Sequence, residues 1–362
     1  MDYEEIIKEQ MKNVEGTDEL DSISEYAAGL SEGLTDQYTL DRILESSIKG
    51  ESIFDANEII SSLKDLLLYE IKLTIALGIE ILIVCIVVGL LKNLSGSFGK
   101  KNVADIALLI CSVIIIGLCI NNFRVVYEMT VDTVATLTYT VEIILPILLT
   151  VLISMGAVSS GTIMSPVLLT SVAIFGAILK NVVLPAVFIS TILVLINSLT
   201  EKDYVNKLSK FLRNASLFAV GILITILTGI ITVQGLVAET SDTLLMNTAR
   251  YSISKFIPIV GDFTSDTLGL FIKCMSSIKG VVGIFGIITI VLLIIMPIIK
   301  ILAIATIYKV TSFLTEPITD SKLSDCLSDM GNAMITMGAI LFFTSLLFII
   351  FLATVINLGG NL

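Results

Sequence analysis

No histidine occurs anywhere in these 362 residues, and only 15% of them are charged. Without histidine the chain lacks the side chain that most often moves protons near neutral pH, the commonest zinc ligand and the usual base of a Ser or Cys triad. The five cysteines, Cys85, Cys111, Cys119, Cys274 and Cys326, show no CxxC spacing. Three lie in apolar runs, where a thiol packs as a small hydrophobe, so all five read as structural. No phosphate-binding loop, GxGxxG after a strand, GxSxG elbow or HExxH stretch is present. Ser95 to Lys101 is rich in small residues and ends basic, as a turn between spans would be. No catalytic residue, metal or cofactor is therefore expected. The opening Met1-Asp2-Tyr3-Glu4-Glu5 has neither a basic nor an apolar region, so no export signal is expected in this chain.

What the sequence does hold is apolar length: 55% of its residues are hydrophobic. A soluble domain carries about a quarter charged residues, and this composition predicts a membrane body instead. Charge is also unevenly placed. Residues 1–72 hold 18 Asp and Glu against 6 Lys and Arg, whereas the rest holds 15 against 16. Apolar residues recur at helical spacing through Leu40, Ile43, Leu44 and Ile48, and again through Ile59, Ile60, Leu63 and Leu67, with Asp55 or Asn57 as a cap. The expected class is an all-α, polytopic transmembrane helical bundle preceded by an acidic, helical, extramembrane head at 1–72.

A helix crosses the hydrocarbon core with about 20 apolar residues. Runs near 73–91, 103–120, 136–155, 162–179, 182–199, 215–236, 281–306 and 334–357 predict eight crossings. Two spans and their loops fill 73–135, a first transmembrane repeat 136–237, an interfacial or re-entrant segment 238–280, and the spans of a second repeat 281–362. The repeat rests on an offset of 115: Leu199-Thr200-Glu201 recurs as Leu314-Thr315-Glu316, and Lys207-Leu208-Ser209 with Leu212 recurs as Lys322-Leu323-Ser324 with Leu327. Chance matching in an apolar background is the alternative. A true duplication would be parallel, with both Leu-Thr-Glu loops on one face.

Short loops rich in Lys and Arg favour the cytoplasm. With the head outside, Lys92, Lys100, Lys101, Lys202, Lys207, Lys210, Arg213, Lys309 and Lys322 lie inside, against Arg124 and Lys180 outside. Arg250, Lys255, Lys273 and Lys279 on the outer side reduce this bias to nine against six. Both termini are thus expected outside the cytoplasm.

Ionisable residues inside apolar runs cost about 2.5–3.5 kcal/mol each on insertion scales and usually face a bundle interior or an aqueous path. They are Glu80, Glu142, Lys180 and Lys300. Glu142 precedes Pro146 by one turn and Lys300 follows Pro297 by three residues, so each sits near a carbonyl freed by proline. These two form the candidate intramembrane polar site, the alternative for Glu142 being an interfacial position from which it snorkels. The stretch containing Arg250, Phe256, Pro258, Gly261, Asp262 and Asp266 is too polar for an unaided span and too apolar for a free loop. It is the candidate partner-contact segment. Gly261-Asp262 is faintly similar to intramembrane aspartyl proteases, but no second carboxylate appears to share its proton.

Val233-Gln234-Gly235-Leu236-Val237, Thr248-Ala249-Arg250, Phe256 to Asp262 and Ser265-Asp266 together resemble the stage III sporulation protein AE family of endospore-forming bacteria. Leu199-Thr200-Glu201, Leu212 to Ser216, and Pro297 with Lys300-Ile301-Leu302 extend the resemblance over nearly the whole chain. The resemblance implies a non-enzymatic, multi-pass protein of the mother-cell membrane around the engulfed forespore. It also implies membership of an eight-protein, secretion-like channel assembly, with no catalytic residues supplied. Members generally begin with an export signal, so it further implies a trimmed start here. The expected partners are the lipid bilayer, other stage III sporulation channel proteins and further copies of the chain, with no nucleic acid. The competing expectation is a secondary transporter or permease for a small solute.

Overall fold

The structure is a computed structural model and describes residues 56–97, 101–198, 205–256, 261–319 and 321–358. The acidic head up to residue 55 lies outside the described residues.

Among the described residues seven α-helices follow one another: α1 (Ala56–Ser97), α2 (Lys101–Ser154), α3 (Val158–Ile178), α4 (Leu184–Ser198), α5 (Asn206–Phe256), α6 (Gly261–Thr315) and α7 (Ser321–Asn357). A π-helical turn, Leu179–Val183, joins α3 to α4 without a break. Among the described residues six helical stretches are long and apolar enough to cross a membrane: Leu63–Leu91, Ser112–Ser154, Met164–Ser198, Asn206–Gly235, Ile272–Thr315 and Lys322–Asn357. The expectation of an all-α polytopic bundle holds, but six crossings replace eight.

The two lost crossings have physical causes. Residues 121–135 carry enough polar groups to look like a loop, yet α2 passes straight through them. Arg124 pairs with Glu128 at 2.7 Å one turn on, and Asn122 donates to the Tyr308 hydroxyl at 2.9 Å. The hydroxyls of Thr130, Thr133 and Thr136 donate to the carbonyls four residues back, so these polar groups are satisfied on the helix itself. At the second site, Lys180-Asn181 before Pro185 reads as a break. A proline ring clashes with the carbonyl four residues earlier. Here the chain widens by one residue, and Leu184 N–H bonds the Leu179 carbonyl instead, so the helix continues past the proline.

Where the chain does reverse, between α2 and α3, Gly156 adopts φ 94°, a left-handed conformation that favours glycine. Its N–H reaches the Ile153 carbonyl at 2.9 Å, and Ala157 N–H reaches that of Leu152 at 3.2 Å. This is a Schellman closure of the helix end.

Helix α6 is the hub, packing against α7 most extensively and also against α1, α2 and α5. Of its apolar stretch 61% is buried inside the bundle, against 22% for that of α5, which lies at the edge. The core stacks Phe175 edge-on to Phe348 with ring centroids 5.6 Å apart. The interior charge of Lys279 on α6 donates its ammonium to the carbonyl of Leu358, just past the end of α7, where helical carbonyls lack partners and a cation is favoured. Cys85, Cys119, Cys274 and Cys326 are free thiols buried in the bundle, in keeping with a packing role.

The two Lys-Leu-Ser stretches lie in similar places, each in the first turn of a helix, α5 and α7. Ser190 on α4 donates to the Ser209 carbonyl at 2.6 Å, and Ser312 on α6 donates to the Ser324 carbonyl at 2.8 Å. Each of these helices is thus pinned to the one before it through the carbonyl of the serine in its Lys-Leu-Ser stretch.

Close helix approach depends on glycine where α1 meets the α6–α7 turn: a Cβ at Gly89 would collide with the backbone carbonyl oxygen of Ile318. Backbone cannot rotate aside as a side chain can, and overpacking typically costs about 1–3 kcal/mol. Gly89→Leu is expected to lower the unfolding temperature of the detergent-solubilised chain, followed by circular dichroism. Gly221→Ala, with nothing within 4 Å of its new Cβ, should leave it unchanged or raise it.

Candidate functional site

Of the ionisable residues singled out in the sequence, Lys300 lies at a cavity. It lines a space of about 510 Å³ between α1, α2 and α6, together with Glu70, Asp132, Thr136, Met296 and Pro297. Each helix presents one charge for a local reason. On α1, Glu70 continues the buried face on which Thr74, Ile81, Cys85 and Val88 follow at helical spacing. On α2, Asp132 projects from the stretch that stays helical because its threonines bond their own backbone. On α6, Pro297 has no N–H to give the Leu293 carbonyl, and Leu293 also lines the cavity.

Glu70 is only 7% exposed. Its backbone carbonyl accepts from Thr74 at 2.7 Å, but its carboxylate has no hydrogen bond or ion pair among the described residues. Lys300 and Asp132 are exposed, and no direct ion pair joins Lys300 to either acid among the described residues. Two carboxylates and one ammonium thus face a shared space without neutralising one another. Met129, Met296, Val125 and Leu293 make the rest of its wall apolar. Such an arrangement can hold a hydrated cation or a small polar solute carrying positive charge.

Glu142 does not join this site. It is half-buried on α2 and is not among the residues lining the cavity. Lys180 is exposed in the π-helical turn, and Glu80 is exposed on α1. In the candidate partner-contact segment, Arg250 and Phe256 fall in the last turns of α5, while Gly261, Asp262 and Asp266 open α6. Pro258 lies outside the described residues. Glu70 and Asp132 were not among the residues singled out from sequence, the first assigned to the head and the second to a loop. The helical phase of Leu63 and Leu67 puts Glu70 on their apolar face, and this was the available signal.

A polytopic α-helical membrane protein, with charged cavities set between its helices, is the class that this fold and site define. The chain belongs to the stage III sporulation protein AE family, whose profile matches residues 38–359. It is similar to stage III sporulation protein AE of Bacillus subtilis (strain 168), with 29% identity over 321 residues covering 87% of this chain and 79% of that protein. No solved structure is matched by the chain.

A cavity reached by water lets a thiol ionise and react, while thiols buried in apolar surroundings stay inert. In a chain with Cys111 replaced by Ser, Met296→Cys is expected to react with a charged, water-soluble thiol reagent far faster than the buried native cysteines. A rate equal to that unreactive background would show that the cavity is closed to water.

Proposed function

We propose that this chain is a non-enzymatic integral membrane subunit of the mother-cell to forespore channel, a secretion-like assembly needed for endospore development. Membership of the stage III sporulation protein AE family over residues 38–359 carries the reading. The described fold supports it physically. At 1.5 Å per residue, helices of 54, 51 and 55 residues in α2, α5 and α6 run about 80 Å, well over the 30 Å or so of hydrocarbon. Helix α5 continues for 21 residues past Gly235 and α6 begins 11 residues before Ile272, and in these parts Glu239, Asp242, Arg250, Lys255, Asp262 and Asp266 interrupt the apolar sequence. Only residues 257–260 separate the two extensions in the sequence, so a partner there can grip helices instead of loops.

In this reading the chain lies in the mother-cell membrane around the forespore, with both termini outside the cytoplasm. Its partners are the bilayer, other stage III sporulation channel proteins and further copies of itself. The acidic head and the 238–280 segment are the surfaces that meet proteins in the intermembrane space.

A second reading, a secondary transporter for a small solute within the same complex, is favoured by one observation. Glu70, Asp132 and Lys300 converge on a cavity beside the proline-interrupted part of α6, a placement that suits transport sites.

The two readings separate by experiment. Under the subunit reading, replacing Phe256 and Phe263 with Ser abolishes co-purification of the other channel proteins from sporulating cells, while Lys300→Met with Glu70→Gln leaves it intact. Retention of every partner by the Phe256, Phe263 variant contradicts the platform role. Solute flux in liposomes that is lost only in the Lys300, Glu70 variant favours the transporter.

A further inference from the structure

The cavity at Lys300 is also lined by Thr133 and Thr136 of α2. The Thr133 hydroxyl donates to the Met129 carbonyl at 2.7 Å, and that of Thr136 donates to the Asp132 carbonyl at 2.9 Å. A hydroxyl has one proton to give and two lone pairs. With its proton already given to the backbone, each threonine can only accept a further bond. On the α6 wall lies Leu293, whose carbonyl receives no N–H from Pro297. Together with the carboxylates of Glu70 and Asp132, these groups make the space a set of oxygen acceptors in which Lys300 is the one side-chain donor among the described residues.

Glu70, 7% exposed, lies in the part of α1 that is apolar enough to cross a membrane. Its carboxylate has no partner among the described residues, yet neither of its oxygens is sealed off, so both are reached from the cavity that the residue lines. An ionised carboxylate in such a place is costly unless a positive charge meets it. Lys300 does not meet it directly, since no ion pair joins this lysine to either acid among the described residues. Two carboxylates against one ammonium leave the cavity with one negative charge in excess.

We propose that this cavity binds one partly hydrated alkali-metal cation, such as sodium, and that Lys300 sets the valence it accepts. Carboxylate, hydroxyl and carbonyl oxygens suit a hard cation. No group of three or more Cys, Asp or Glu that could hold a transition metal occurs among the described residues. One monovalent ion brings the space to neutrality. A divalent ion instead leaves a positive charge facing the apolar walls of Val125, Met129, Leu293 and Met296. At about 510 Å³ the space is far larger than a bare ion, and a water takes only about 30 Å³, so the ion keeps part of its hydration. The proposal rests on the site of the transporter reading. Binding at equilibrium tests the occupant and flux in liposomes tests transport, so either can fail without the other.

The test uses the full chain purified in detergent in N-methylglucamine chloride. Sodium, potassium, calcium and methylammonium chlorides are titrated at constant ionic strength, with thermal unfolding and the binding of radioactive sodium as readouts. The expected result is saturable binding and stabilisation by sodium, with potassium displacing the label and calcium displacing it no better than sodium does. Glu70→Gln should weaken sodium binding at least tenfold. Asp132→Asn, altered at an exposed side chain, should do the same and carries the test if the Glu70 variant does not fold. In Lys300→Met the two carboxylates are unopposed, and calcium is expected to overtake sodium by at least tenfold, a reversal that loss of a merely structural lysine does not produce. The proposal is overturned by sodium binding no better than N-methylglucamine, or by calcium binding tighter than sodium in the parent chain. Tighter binding of methylammonium than of sodium overturns it too, by naming an amine-bearing solute as the occupant. Sodium affinity within twofold of the parent in the folded acid variants, or an unchanged order of sodium and calcium in Lys300→Met, does so as well.

Discussion

Everything in this molecule follows from the need to satisfy backbone polar groups where water is scarce. An amide N–H or carbonyl left bare in hydrocarbon costs several kcal/mol, so a chain crossing it stays helical unless protein shelters the exception. That constraint explains why α2 does not stop at its polar stretch 121–135, and why Pro185 is met by a π-helical turn. It explains the chain reversal at Gly156 too, where both freed carbonyls find N–H donors. Lys279 obeys the same rule from the side-chain end: a buried ammonium is tolerable because it closes the carbonyl end of α7.

The helical class was legible because apolar length and the scarcity of charge leave little else for such a chain to do. The number of crossings was less legible. A window of hydropathy treats Asn122, Arg124, Glu128 and Asp132 as a loop, since it cannot see that Tyr308, 186 residues away, accepts from Asn122 or that Arg124 and Glu128 share one helix face. Lys180 misled for a different reason. Proline and lysine together suggest a break, and only backbone geometry reveals the extra residue that accommodates them. Both misreadings split one crossing into two, so the number of crossings among the described residues stays even.

The candidate site divides in the same way. Lys300 stood out because a lone ammonium three residues after proline is hard to place against lipid. Glu70 and Asp132 did not stand out, as each belongs to a segment whose local composition looks wet, and only packing of three helices brings them to one cavity. Glu142 had the same local credentials as Lys300 but does not line the cavity at which Lys300 lies. Proximity to a proline marks a weak spot in the backbone ladder, whereas a site needs charges from several helices at one level. The two Lys-Leu-Ser stretches are alike in sequence and hold their helices alike, through the carbonyls of Ser209 and Ser324.

The central structural claim is that the chain from Met164 to Ser198 crosses once, unbroken through its π-helical turn, so that the turn at Gly156 lies on the same side of the membrane as the C-terminus. Eight crossings would put that turn on the opposite side. Side-specific labelling of Ser154→Cys, an exposed position just before the turn, with a membrane-impermeant thiol reagent decides between them. Modification from the same side as a cysteine appended to the C-terminus is the outcome predicted by six crossings. Modification only from the other side would contradict the fold described.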